Sequence, residues 1–217
     1  MSRIILFGGE KGGTGKTTLS TNTAGVLASY GKKVLLVDTD KQGSASPWCS
    51  IRNENEDLKP VYSMELTGIG IAKKILSFVD NFDYVIIDAG GRDSFELREA
   101  LGIADVAIIP LKPSQFDIWT AEKMSSVIAQ ASVTNSNLIS YIVLNMASTH
   151  HLSSDVSKSI SALNDFENIK FSDVIVKLRS AYMEAPEYGM TVFELPKKKR
   201  SSKAINEIKQ LIKFAIV

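Results

Sequence analysis

The run Gly8-Gly9-Glu10-Lys11-Gly12-Gly13-Thr14-Gly15-Lys16-Thr17-Thr18 places glycines, two lysines and paired hydroxyls side by side. Glycines let a loop turn its amides inward at backbone angles that cost other residues free energy. A helix starting at the end of the loop adds further amides and a partial positive charge. Such a loop cradles phosphate. The spacing lets Lys16 reach the β and γ phosphates of a nucleotide and lets the Thr17 hydroxyl ligate Mg²⁺. Two details depart from the general pattern: its first glycine falls at Glu10, and a second lysine, Lys11, opens the loop.

Two further segments carry acids at the ends of apolar runs. Val34-Leu35-Leu36-Val37 leads into Asp38-Thr39-Asp40-Lys41-Gln42, and Val85-Ile86-Ile87 leads into Asp88-Ala89-Gly90-Gly91. A magnesium–nucleotide complex needs carboxylates near the metal's waters, and hydrolysis needs a group that orients the attacking water. Gly90-Gly91 lets a backbone amide approach a γ-phosphate, so this loop is expected to distinguish triphosphate from diphosphate. An acid ending one strand is often only a turn or cap residue. Phosphate loop, first acid pair and second acid in that order form a stronger signal.

These residues need a frame that brings them to one edge. Apolar runs at 3–7, 33–37, 84–87, 106–110 and 139–144, with a weaker one at 171–176, read as strands covered on both faces. Between them, 17–30, 69–78, 95–103, 119–131 and 153–165 have helical length and pattern, and a last helix is expected at 202–215. This alternation predicts an α/β fold of the P-loop NTPase kind, with a mostly parallel twisted sheet and helices on both faces. In a parallel sheet all three motifs emerge at the same edge, where ligands bind. One domain over residues 1–217 is expected, with 179–203 as a long surface connection.

Composition narrows the function classes. The chain has 217 residues, 44% hydrophobic and 23% charged, which excludes wholesale disorder. With 25 Lys+Arg against 24 Asp+Glu the net charge is +1, so any polyanion must be met by a local patch. A single cysteine, Cys49, excludes an internal disulfide framework and a cysteine-built metal cluster within one chain. The opening residues show no secretory signal. The stretch 125–154 lacks charge, but Gln130, Asn135 and Asn137 interrupt it, so no membrane span is expected. The expected location is cytoplasmic.

At this point the chain resembles the ParA/MinD family of dimeric ATPases. The resemblance rests on Lys11-Gly12-Gly13-Thr14-Gly15-Lys16-Thr17-Thr18, on Asp38-Thr39-Asp40-x-Gln42 and on Ile87-Asp88-Ala89-Gly90-Gly91. Val106 to Ser114, Ile142-Val143-Leu144-Asn145, Ala185 to Gly189 and Thr191 to Glu194 extend it over nearly the whole chain. It implies a homodimer with ATP sandwiched between protomers, Lys11 reaching across to the partner's phosphates. It further implies that Asp40 positions the hydrolytic water and that Asp88 helps hold Mg²⁺. The cofactor set it implies is ATP bound by residues 11–18, Gly91 and Asn145, with Mg²⁺ held by Thr17, Asp40 and Asp88. Where the family usually has proline after the second acid, this chain has Lys41. Proline would fix that backbone, so Lys41 loosens it or adds a positive contact.

The short form, starting at the first strand, is typical of plasmid or chromosome segregation ATPases in that family. The resemblance then implies slow, partner-stimulated hydrolysis, a ParB-type adaptor that reads a centromere-like site, and non-specific, nucleoid-associated DNA binding by the ATP dimer. A dimer doubles a weak basic patch, and phosphate-driven binding rises steeply with contact number. Lys197-Lys198-Lys199-Arg200 with Lys203 is the densest positive run, with Lys170, Lys177 and Arg179 as further members of the face or else solvated residues.

Division-site or membrane positioning by the same ATPase is the main alternative, with the apolar stripe Ile205, Ile208, Leu211, Ile212 and Ala215 as a membrane helix, its polar face carrying Glu207 and Lys209. Mixed signs on that face favour packing on the sheet instead. A metabolic reductase would need paired cysteines at the dimer seam, a ligase an extra substrate pocket, and an idle scaffold would not need Lys16, Thr17, Asp40 and Asp88. Trp48 and Trp119 are read as packing residues, Cys49 as a small half-buried one, and His150-His151 as no metal site.

Overall fold

The structure, a computed structural model, describes residues 2–150, 155–163, 166 and 168–216. Among them the strands are β1 (Arg3–Phe7), β2 (Val34–Asp38), β3 (Tyr62–Glu65), β4 (Tyr84–Asp88), β5 (Val106–Leu111), β6 (Ile139–Ala147) and β7 (Lys170–Lys177). They form one seven-stranded sheet in the order β3-β2-β4-β1-β5-β6-β7, and every pairing is parallel. The helices are α1 (Lys16–Ser29), α2 (Ala45–Glu54), α3 (Ile71–Phe78), α4 (Phe95–Leu101), α5 (Gln115–Thr134), α6 (Asp155–Leu163), α7 (Ser180–Glu184) and α8 (Ser202–Ile216).

Alternation along the strands divides the core into two layers. Ile5, Phe7, Leu36 and Ile108 face α1, α2, α7 and α8, where Leu19, Trp48, Tyr182 and Leu211 pack. Ile4, Leu6, Val37 and Ile109 face α3 to α6, where Ile75, Leu97, Met124 and Leu163 pack. Both faces of the central strands are therefore dry, as their continuous Ile, Val and Leu content requires. Each fully buried side chain of this size contributes about 1.5–3 kcal/mol relative to exposure.

Three elements depart from the sequence expectation. β3, Tyr-Ser-Met-Glu, pairs only with β2 and leaves Tyr62, Ser63 and Glu65 exposed, so it lacks the apolar run of an inner strand. In α2 the buried positions Ala45, Trp48, Cys49 and Arg52 follow helical spacing, but the fourth is a charged residue. Arg52 is wholly buried and donates to Glu194 at 2.8 and 2.9 Å, to Lys59 O at 2.8 Å and to Gly189 O at 3.0 Å. Burial pushes the Glu194 carboxyl up, but hydrogen bonds from Arg52 and Thr191 outweigh it and hold it below the usual range. α2 is thereby fastened to the segment that follows α7.

Residues 179–203 as a whole correct the reading of that stretch as a surface connection. They contain α7 and a 3₁₀ turn over Ala185–Tyr188, and they bury Ala181, Tyr182, Thr191, Val192 and Leu195. Trp119 also departs from expectation: it is 58% exposed, whereas Trp48 is buried and donates to Met190 O at 3.2 Å. Cys49 is fully buried, and its thiol is pushed up to about 12 by burial. In α8 the stripe Ile208, Leu211, Ile212 and Ala215 packs in the core, as expected. Glu207, expected on its polar face, is buried and bonded to Arg179 at 2.6 Å and to Tyr182 Oη at 3.0 Å. No described helix is long and apolar enough to cross a membrane. His151 and the ends of the expected helix 153–165 lie outside the described residues.

Candidate functional site

Strand order decides which motifs meet. β4 lies between β2 and β1, and its Asp88 is in register with Asp38 on one side and with Phe7 on the other. Residues 8–15 therefore leave the sheet beside both acidic loops. Thr39 N donates to Asp88 O at 2.9 Å and Ala89 N to Phe7 O at 2.9 Å, which ties the three strand ends together.

The loop from Gly8 to Gly15 ends in α1 without a side-chain cap. Gly15 has φ +89°, and a Cβ there would collide with Asn145 Nδ2. Only glycine suits both the angle and the space. Asn145, at the end of β6, donates through Nδ2 to Thr14 O at 2.7 Å, so it braces the loop from outside. Lys16 folds over the loop, and its ammonium donates to Lys11 O at 2.9 Å. Its pKa is lowered because burial outweighs the opposing charges of Asp88 and Asp40. The helix amides and a half-desolvated ammonium thus converge on one small volume, a setting in which an anion regains the lost solvation.

The second acid meets α1 directly. Thr17 Oγ1 donates to Asp88 Oδ2 at 2.7 Å. Asp88 Oδ1 is buried with no hydrogen-bond partner. Burial first, and the neighbouring Asp38 charge next, push the Asp88 carboxyl up to about 7 against the pull of Thr17 and Lys16. A hard divalent cation suits this donor set: a hydroxyl, a carboxylate with a spare oxygen, and Asp40 close by.

Asp40 stands between the two acidic loops. Its N–H donates to Asp38 Oδ1 at 3.0 Å, its Oδ1 accepts from Gln42 N at 3.0 Å, and a Cβ on Gly90 would lie 3.5 Å from its Cγ. Asp38 also accepts from Ala45 N at 2.8 Å, so one buried carboxylate shapes the whole turn carrying Asp40. Gly91 rests on the phosphate loop, where a Cβ would lie 2.7 Å from Gly12 Cα. Any side chain there would push the loops apart. Lys41 is exposed and, with Asp40, Arg92, Glu96 and Arg98, lines a cleft of about 440 Å³ beside these turns.

Lys11 is placed differently from Lys16. It sits on the outer rim, and its ammonium is 2.8 Å from Asp117 Oδ2. Asp117 is buried in the first turn of α5, where Ser114 Oγ also donates to it and Lys112 N lies 3.3 Å from Oδ1. Burial raises the Asp117 pKa, but the bonds from Lys11, Ser114 and Lys112 together bring it below its ordinary value. Phe116 and Trp119 stack edge to face at 5.5 Å on this rim, and both are exposed.

The structure gathers Lys11, Lys16, Thr17, Asp40, Asp88, Gly91 and Asn145 around residues 12–18. The sequence carries Asp38 only within the first acidic motif, with no role of its own, and gives no site role to Lys112 or Asp117. For Asp117 a signal was present, since Ser114-x-x-Asp117 is the pattern of a helix N-cap, and Ser114 indeed accepts from Asp117 N at 3.2 Å.

Comparison with known proteins gives the family. Residues 5–192 match the family described as CobQ/CobB/MinD/ParA nucleotide binding domain. The maintenance of carboxysome distribution protein A of Halothiobacillus neapolitanus is 30% identical over 208 residues, covering 95% of this chain and 93% of that protein. The sporulation initiation inhibitor protein Soj of Bacillus subtilis is 25% identical, covering 88% and 90%. Among solved structures, apo McdA of Cyanothece superposes with a TM-score of 0.80 at 16% identity, all of both chains being covered. The Pyrococcus furiosus cell division ATPase MinD does so at 0.72 and 20%, covering 98% and 99%. With its phosphate loop, its paired acidic strand ends and this match over most of its length, the chain belongs to the CobQ/CobB/MinD/ParA nucleotide-binding family, on its ParA/MinD side.

Proposed function

We propose that this chain is an ATP-hydrolysing switch that positions cargo over DNA, as in plasmid or chromosome partition. One observation carries the reading: the glycine loop over buried Lys16 and Asp88 continues into an outer lysine, Lys11, that an ion pair to Asp117 and a contact with the Phe116 ring keep in place. In this reading Lys16 and the amides of residues 12–18 hold the phosphates. Asn145 braces the loop, and Gly91 brings its amide to the terminal phosphate. Thr17, Asp88 and Asp40 hold Mg²⁺, which supplies charge neutralisation to the phosphates. Asp40 orients the attacking water. Lys11 leaves Asp117 and crosses to the nucleotide of a second protomer, so the triphosphate becomes part of the interface.

The ATP dimer then binds DNA without sequence preference, and a ParB-type adaptor stimulates hydrolysis and release. Lys197, Lys198 and Lys203 are exposed and supply backbone contacts. Lys199 is shared with Glu184 at 3.3 Å and Tyr188 at 3.4 Å, and Arg179 is taken by Glu207. These last two contribute less to the DNA surface. The membrane alternative is disfavoured by α8, whose apolar stripe is already used in the core. A second reading, a protein assembly as cargo in place of DNA, is favoured by the relative named for carboxysome distribution.

Retention on non-specific DNA, measured with ATP, with ADP and without nucleotide, tests the proposal. Retention with ATP alone, lost on reversing the charges of Lys197 and Lys198, is the expected result. Equal retention in all three states would remove the switch. With ATP-dependent DNA binding established, addition of a ParB-type adaptor on centromere DNA distinguishes partition from the second reading.

A further inference from the structure

Lys112 follows the last residue of β5 and stands at the same sheet edge as the phosphate loop. Its backbone is fixed on both sides. Leu111 is buried before it, Pro113 after it restricts it to extended conformations, and its N–H lies 3.3 Å from Asp117 Oδ1. The side chain is half-buried and runs to the crest of the loop, where a Cβ on Gly13 would lie 3.9 Å from Lys112 Nζ.

Three ammonium groups therefore ring one glycine loop, and they differ in what balances them. Lys11 has Asp117, and Lys16 has the Lys11 carbonyl and the fields of Asp88 and Asp40. Among the described residues the Lys112 ammonium makes no hydrogen bond or ion pair. The Lys112 ammonium can therefore take a phosphate oxygen without giving up a partner of its own. Gly12 and Gly13 form the exposed crest, and Gly91 rests on Gly12. Lys112 thus reaches Gly13 from the β5 side of the loop, one residue from Gly12, on which Gly91 of the second acidic turn rests; the terminal phosphate is expected at this crest.

We infer that Lys112 is a third phosphate-contacting cation, engaging the terminal phosphate of the nucleotide held in its own protomer. The inference rests on the proposed ATP site and adds to it a residue from the β5–α5 loop. Lys11 serves association, whereas Lys112 serves affinity for triphosphate over diphosphate within one chain.

The test titrates ADP and a non-hydrolysable ATP analogue against Lys112→Met and Lys112→Arg, each also in a Lys11→Ala background that is expected not to associate. Methionine keeps the stem and removes the charge. The expected result is analogue affinity about tenfold weaker in Lys112→Met, the size of one charge-assisted hydrogen bond. ADP affinity stays within about twofold, Lys112→Arg restores most of the loss, and the same ratio appears in the Lys11→Ala background. Equal weakening for both nucleotides, or no weakening, would overturn the inference while leaving the site intact. A loss confined to the associating protein would overturn the same-protomer assignment. Failure of the unmodified protein to bind either nucleotide would instead overturn the site itself. Unchanged melting of Lys112→Met excludes misfolding as the cause.

Discussion

The inner and outer parts of the phosphate loop are built on opposite principles. Inside, Lys16, Thr17 and Asp88 are buried or half-buried: Lys16 donates to the Lys11 carbonyl, Thr17 donates to Asp88, and one Asp88 oxygen stays spare. Outside, the Lys11 side chain is 40% exposed and held by one carboxylate, next to aromatic rings that face solvent. A buried polar network is costly to disturb and so keeps its geometry. The pair has one exposed partner, so water competes for the Lys11 ammonium and the pair exchanges partners more readily than the buried network does. The contrast suits an interior that does chemistry and a rim that changes partners.

The sharpest way to break this contrast is Lys16→Ala, which should weaken ATP binding on the order of 10²-fold or more, because two or more charge-assisted bonds are lost. Calorimetry showing tight ATP binding by that variant would place the site elsewhere. Next in size is the pH dependence of Asp88. Its carboxyl titrates near 7 in the folded chain and near 4 when unfolded, so the folded state holds the proton more tightly. Stability of the nucleotide-free protein should therefore fall by a few kcal/mol as pH rises from about 4 to about 7. Melting curves at pH 5.5 and 8 without Mg²⁺ should show this for the parent chain and a flatter response for Asp88→Asn. Equal slopes would mean that Asp88 is not the group concerned.

The rim gives smaller effects. Lys11→Ala should retain ATP binding within about tenfold while sedimenting as a monomer with ATP, because a single exposed cation is lost. An ATP-dependent dimer of that variant would deny Lys11 its role in assembly. Smallest of all, Asp117→Asn keeps the side-chain shape but turns one acceptor oxygen into a donor and loosens the hold on Lys11. It should strengthen ATP-dependent association by about two- to fivefold, the scale of one ion pair whose cation is exposed to water. Weaker association would show that Asp117 is needed in the assembled state as well.

Legibility followed covalent and tertiary distance. The five inner strands were readable because burial on both faces demands continuous Ile, Val and Leu, the edge strand β7 gave a weaker signal because its burial alternates, and the ends of all six shifted by only a few residues. β3 was not, since an edge strand with exposed residues has no such demand. α2 hid because its fourth inward position is Arg52, whose charge is matched by Glu194, 142 residues away. In the site, Gly12 to Thr18, Asp40 and Asp88 were readable because each motif is contiguous. The Lys11–Asp117 pair and the approach of Lys112 to Gly13 link residues about a hundred positions apart.

From its order of residues alone, this protein had a phosphate loop, acids at two strand ends and an alternating α/β pattern, since those depend on local backbone freedom and on hydrophobic period. Tertiary structure decided the rest. By inserting β4 between β2 and β1 it set Asp88 against Thr17, and by bringing α5 to the rim it gave Lys11 a buried anion. Charges act through space, and the folded chain alone sets the distances and the burial on which their strength depends.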